Sequence, residues 1–220
     1  MKSSRRFPWA AFFVLVLAGS GASPAAGGET PRYLTGPQTG SARELALAYL
    51  GQQGQRLGVT DRNLPSLVVI REYTSQHNGV THVYLRQHLD GLEVAGADVS
   101  VNVARDGSII NVGGAVVSNL DQPVAGRNPT LDATQALQAA ARHLGLNSAA
   151  LPSEPVPSKL VYQPVAKGGV RLAWQLEIEE PSGEHWWNVK VDAATAEVLD
   201  IFDYVVQEDF GLPSGATPGP

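Results

Sequence analysis

Two stretches of the chain follow the same order of hydrophobic and polar positions: a capped helical run, then several segments in which apolar and polar residues alternate. In the first, residues 41–44 read Ser-Ala-Arg-Glu, a capping box in which the serine oxygen accepts from a free backbone N–H and the glutamate reaches back. Leu47, Leu50, Gly54 and Leu57 then keep i, i+3, i+7, i+10 spacing, one helix face, and Gly51, Gly54 and Gly58 weaken its end. Residues 67–70, Leu-Val-Val-Ile, predict a strand. Val83, Leu85 and Leu89 alternate with His82, Tyr84, Arg86 and His88, which buries one face of the next strand and wets the other. Asp90-Gly91 is a turn. Val99, Val101 and Val103 alternate in a third strand, Asp106-Gly107 is a strong hairpin signal, and Ile110, Val112 and Val116 carry the return strand.

The second stretch opens on an aspartate cap, Asp132, with Gln135 three residues on. Leu137, Ala140, Ala141 and Leu144 form its apolar face, Arg142 and His143 sit in the last turn where the helix dipole favours cations, and Gly145 suits the left-handed residue past the end. Strands are expected at 159–163, 171–180, 185–191 and 197–206. The fold class is therefore α+β, two tandem subdomains, each a helix with an antiparallel sheet. Their boundaries fall at 41–120 and 130–206, with 121–129 as a Pro- and Gly-bearing linker and 207–220 as a Gly/Pro-rich disordered tail.

Residues 1–26 read as a bacterial-type signal peptide: Lys2, Arg5 and Arg6 precede an apolar stretch from Phe7 to Leu17, too short for a bilayer that needs roughly 20 residues. A flexible segment, 27–40, follows. Secretion, extracellular or periplasmic, with no integral membrane anchor after cleavage, is the expectation. The chain has no cysteine, so disulfides and thiolate chemistry are excluded. Without the leader, 16 basic residues less three oppose 21 acidic ones, a formal charge of −8, and that acidity argues against nucleic acid as a partner.

The segment from Gly79 to Gly114 resembles the FTP motif of fungalysin/thermolysin propeptides through His82, Tyr84, Arg86, Gln87, Gly91 and Val94, followed by Asp106 and Gly107. The second stretch resembles a PepSY domain at 174–178 (Trp-Gln-Leu-Glu-Ile), 187–192 and 193–199; the family places glycine where this chain has Ala196. The resemblance implies a propeptide-type inhibitor and intramolecular chaperone whose partner is a zinc metallopeptidase catalytic domain, in cis or in trans. No H-E-x-x-H run is present, and Glu184-His185 stands before Trp186-Trp187 instead.

Catalysis by these residues is not expected. His82 and His88 share a strand face but lie six residues apart, roughly 20 Å, beyond the reach of one metal. Glu177 and Glu179 share the outer face of a strand whose inner face is Leu172, Trp174, Leu176 and Ile178, so they read as solvated. No metal, cofactor or catalytic residue is assigned. Trp186 and Trp187 are adjacent on a strand and point to opposite sides, so one is expected to be exposed. The candidate partner-binding set is Tyr84, Arg86 and His88, with Trp186 or Trp187. Three readings stay open: a precursor segment lacking its catalytic domain, a free-standing regulator acting in trans, or an envelope binding module without a peptidase.

Overall fold

The computed structural model describes residues 33–118, 120, 127–147, 151–166 and 168–205. The signal peptide, most of the linker and the Gly/Pro-rich tail lie outside the described residues.

Helix α1 (Ala42–Gln53) starts at the expected capping box, with both the Ser41 and the Glu44 bonds formed. Four strands follow: β1 (Leu67–Thr74), β2 (Thr81–Leu89), β3 (Leu92–Val103) and β4 (Ile109–Gly114). Helix α2 (Ala133–Leu144) repeats the capping box through Asp132 and Gln135 and ends on Gly145 in the left-handed region. Strands β5 (Ser158–Pro164), β6 (Val170–Glu179), β7 (Trp186–Asp192) and β8 (Val198–Asp203) complete the second helix-plus-sheet unit. The α+β class is thus the observed one.

Among the described residues, all strand pairings are antiparallel except one. The strand order is β1-β2-β3-β5-β6-β7-β8 with β4 also on β3, and the β3–β5 pair is parallel, made at Val94 and Tyr162. Helix α1 covers one face of the first sheet through Leu45, Ala46 and Leu50, which meet Val83, Leu85, Val99, Val101, Val103 and Ile109. Helix α2 does the same for the second sheet with Ala136, Ala139 and Ala140 against Leu176, Ile178, Val189 and Val191. A third cluster lies where the sheets join: Val94 and Ala97 of β3 with Tyr162, Val170, Leu172 and Ala193.

Several expectations shift by a residue. Ile109, fully buried, takes the core position of the return strand, while Ile110 is only half-buried. In β2 the third inward position belongs to Gln87, which is fully buried, whereas Leu89 is half-exposed. The register explains this: Arg86 pairs with Asp98 but His88 pairs with Glu93, so the single residue Gln87 faces a bulge at 94–97. In α2 the closest approach to the sheet is made by alanines, and Leu137 and Leu144 pack at the margin. Residues before α1, expected to be flexible, hydrogen-bond to the β3–β4 hairpin: Leu34 N–H donates to Ile109 C=O at 2.7 Å and Gln38 N–H to Asp106 C=O at 3.0 Å. Gly107, φ 82°, has no room for a side chain, since a Cβ there would run into the Gln38 carbonyl oxygen.

Ala196 occupies the turn between β7 and β8 with φ 64°, the left-handed region in which alanine is strained. Ala196→Gly is expected to raise stability by about 0.5 kcal/mol, the relief of strain being partly offset by the looser unfolded chain and the lost methyl contact. Ala196→Val should lower it. Denaturant midpoints for the two variants moving in the same direction would contradict this account.

Candidate partner-binding faces

The face of the first sheet turned away from α1 is built in cross-strand rows. Tyr73, His82, Asn102 and Asn111 are register partners in one row, and Arg71, Tyr84, Ser100 and Gly113 in the next. His82 stacks on Tyr73 at 4.8 Å, Nδ1 meets Asn102 Oδ1 at 2.6 Å and Nε2 meets Ser75 Oγ at 2.9 Å. Both ring nitrogens are thus engaged, and the histidine is half-buried and bonded across the sheet. Tyr84 stacks at 6.2 Å on Tyr73, which in turn carries the Arg71 guanidinium 4.8 Å from its ring centre.

Arg86 is held by its own sheet. Nε and Nη2 donate to the two Asp98 oxygens at 2.6 and 3.3 Å, and Nη1 donates to Glu93 at 3.0 Å. Lys159 of β5 also donates to Glu93, at 2.7 Å, so this ion network spans the junction between the sheets. Burial pushes the Glu93 carboxyl up, but Lys159 and Arg86 outweigh it and hold the group below its ordinary value. His88 lies on the same face as Tyr84 and Arg86, with Nδ1 3.2 Å from the Arg86 carbonyl oxygen. Three residues of the candidate set are therefore brought together on β2.

The remaining motif residues serve the junction and the turns. Gln87 clamps the backbone beyond β4: its Nε2 donates to Val117 C=O and its Oε1 accepts from Val117 N–H, both at 2.9 Å. Asp90 and Gly91, at φ 49° and 81°, form the tight turn between β2 and β3. The Asp90 carboxylate meets the Tyr162 hydroxyl at 3.4 Å and Arg127 at 3.0 Å. Val94, fully buried, sits in the junction cluster, and Asp106 accepts from Ser108 N–H at 3.0 Å in the hairpin.

Trp186 and Trp187 do separate to opposite faces. Trp187 packs against the α2 core, stacks on His185 at 4.6 Å and donates to Glu180 at 2.7 Å. Trp186 is exposed and has company that the sequence reading missed: Tyr204 lies edge-on at 5.2 Å, and Phe202 meets Tyr204 at 5.2 Å. Trp186 on β7, Phe202 on β8 and Tyr204 just past the end of β8 are 43%, 56% and 44% exposed. Asn188, the register partner of Phe202, donates to the Tyr204 hydroxyl at 2.8 Å. The alternation Asp200, Phe202, Tyr204 was the signal available in sequence; only the pairing with β7 shows that it meets Trp186. Three strands separate β2 from β7, so the Tyr84 face and the aromatic patch are on the order of 20 Å apart and form two surfaces.

Among the described residues no group of three or more His, Cys, Asp or Glu is placed to hold a metal ion, and no helix is long and apolar enough to cross a membrane.

An α+β module carrying a propeptide motif is the class this architecture fits: residues 66–116 match the Fungalysin/Thermolysin Propeptide Motif family. The chain is 29% identical over 177 residues to extracellular metalloproteinase mep of Aspergillus niger, covering 70% of this chain and 28% of that protein. It is 25% identical over 187 residues to probable extracellular metalloproteinase 5 of Trichophyton verrucosum, covering 74% and 29%. With extracellular metalloproteinase 10 of Coccidioides posadasii the figures are 30% over 164 residues, covering 64% and 25%. The chain thus spans less than a third of the length of these relatives. Among solved structures, the Bacillus megaterium YpeB C-terminal domain is similar at a TM-score of 0.39 and 15% identity, over 79% of this chain and 69% of that one, a likeness too slight to argue from.

Proposed function

We propose that this chain is a propeptide-type module that binds a secreted fungalysin-like zinc metalloendopeptidase domain, keeps it inactive and assists its folding. The observation that carries the reading is the propeptide motif at 66–116, folded here into a sheet with its motif residues at the turn, the clamp and the junction. The second helix-plus-sheet unit takes the PepSY-like role. The whole chain is secreted, in line with relatives named extracellular metalloproteinases. A prodomain that binds only the native enzyme stabilises it by mass action, and a covalent tether raises the effective concentration so that modest affinity suffices.

The docking surface is the aromatic patch of Trp186, Phe202 and Tyr204. Large exposed rings are the side chains that dominate interface energies. The Tyr84 face contributes less, since the Arg86 donors are already committed to Asp98 and Glu93. The test adds the chain to a fungalysin-type catalytic domain and measures inhibition and refolding yield. Inhibition is expected, and the double variant Trp186→Ala/Phe202→Ala should weaken it about 30-fold or more, the equivalent of a 2 kcal/mol hot spot. Unchanged peptidase activity and refolding with the unmodified chain would overturn the reading.

A further inference from the structure

The aromatic patch rests on a titratable pair. His185, just before β7, places Nδ1 2.7 Å from Asp203 Oδ2 at the end of β8. The other Asp203 oxygen accepts from Trp186 N–H at 3.1 Å and from Val205 N–H at 3.0 Å. Tyr204 N–H donates to Trp186 C=O at 2.8 Å. One carboxylate therefore orders the backbone of the exposed tryptophan and that of the residue after Tyr204. The imidazole is backed by the Trp187 ring, which is fixed from the far side by Glu180.

We infer that His185 and Asp203 form a pH-sensitive latch that holds the ends of β7 and β8 together, so that the Trp186–Tyr204 patch is ordered while the imidazole is protonated and loosens once it gives up its proton. This inference rests on the proposed docking role of that patch only for its consequence, a partner held more tightly in acid than in alkali. The charged groups facing the imidazole are all acidic: Asp203 from β8, Glu180 just after β6 and Glu184 from the turn before β7. The Asp203 hydrogen bond raises the His185 pKa above its ordinary value, and the same bond, with the Val205 and Trp186 N–H groups, lowers that of Asp203.

The signs follow from linkage. A histidine raised on folding stabilises the pair below its unfolded pKa, and that contribution is lost as pH rises through the folded value. A depressed carboxylate contributes above its own unfolded pKa and loses this as pH falls through the folded value. The latch is therefore closed between the lowered Asp203 value and the raised His185 value.

The test is NMR on the intact chain without any partner, following the His185 ring and the backbone amides of Tyr204 and Val205 from pH 5 to 9. Expected are a His185 midpoint above that of an ordinary histidine, and a loss of amide protection at Tyr204 and Val205, after correction for intrinsic exchange, that tracks the same midpoint. His185→Gln should abolish the pH dependence of those two amides while leaving the α1 amides unchanged. Asp203→Asn should bring the His185 midpoint down. A His185 midpoint at or below the ordinary value, or amide protection that does not change across its titration, overturns the latch. Because these readouts need no peptidase, a failed inhibition assay beside a titrating latch would count against the docking role alone.

Discussion

Replacing Gln87 with leucine is expected to destabilise the protein by about 2–6 kcal/mol, although leucine is apolar and similar in size to the side chain it replaces. Gln87 is fully buried, and its amide is the hydrogen-bond partner of both the N–H and the C=O of Val117. Leucine leaves both backbone groups short of a partner, and each such group costs about 1–3 kcal/mol when it is out of reach of water. Asn63 softens this only slightly, since its Nδ2 lies 3.4 Å from the same carbonyl. Removing a polar group from a core is often harmless when its partner leaves too, but here the partner is main chain and stays. Denaturant unfolding of the two proteins measures the difference, and a loss below about 1 kcal/mol would show that the clamp contributes little. The residues beyond β4, Val116 and Val117, should then lose hydrogen-exchange protection before α1 does. Val116 N–H is held by Leu57 C=O at 2.9 Å, so the clamp also ties the strand exit to the 3-10 turn Gly54–Leu57 that follows α1.

Val94→Asp should cost about 3–5 kcal/mol and do so by separating the two sheets. Val94 has no exposed surface and packs with Ala97, Tyr162, Val170, Leu172 and Ala193, and its strand makes the single parallel bridge to β5 at this residue. An unpaired carboxylate buried there has no counter-ion among the residues of that cluster, which is the case in which a buried charge is most damaging. The unfolding transition should broaden or divide, because each half keeps its own helix and its own core. Tyr162→Phe, which removes only the 3.4 Å contact with Asp90, should change stability by less than about 1 kcal/mol. A Val94→Asp protein that unfolds in one transition at the original midpoint would mean that the junction does not couple the halves.

Both substitutions bear on why a propeptide motif has the residues it does. His82, Tyr84 and Arg86 line an open sheet face, but Gln87, Gly91 and Val94 serve a backbone clamp, a tight turn and the seam between the halves. Two of these residues, Gln87 and Val94, are thus internal. The seam, with its Arg86–Glu93–Lys159 network, ties the two halves at a fixed spacing.

The elements themselves were legible in the amino-acid sequence because their causes are local. Both capping boxes, the glycine after α2, the Asp-Gly turns and the alternating strands depend on residues within a few positions of one another. So does the strained turn at Ala196, whose alanine stands where glycine is the residue without strain. The separation of Trp186 from Trp187 follows from the two-residue period of a strand. Register, by contrast, is decided between strands. The bulge opposite Gln87 goes with Val94 and Ala97 entering the core shared with β5, a contact across some 70 positions that alternation cannot reveal. That one event set Gln87 opposite four residues of β3, paired His88 with Glu93 and placed Arg86 within reach of both Asp98 and Glu93. The aromatic patch and the His185–Asp203 pair likewise join residues 16 to 18 positions apart through the β7–β8 pairing. Local free energies chose the helices, turns and strands, and the cooperative burial of side chains from distant segments chose which faces meet and which surfaces stay exposed.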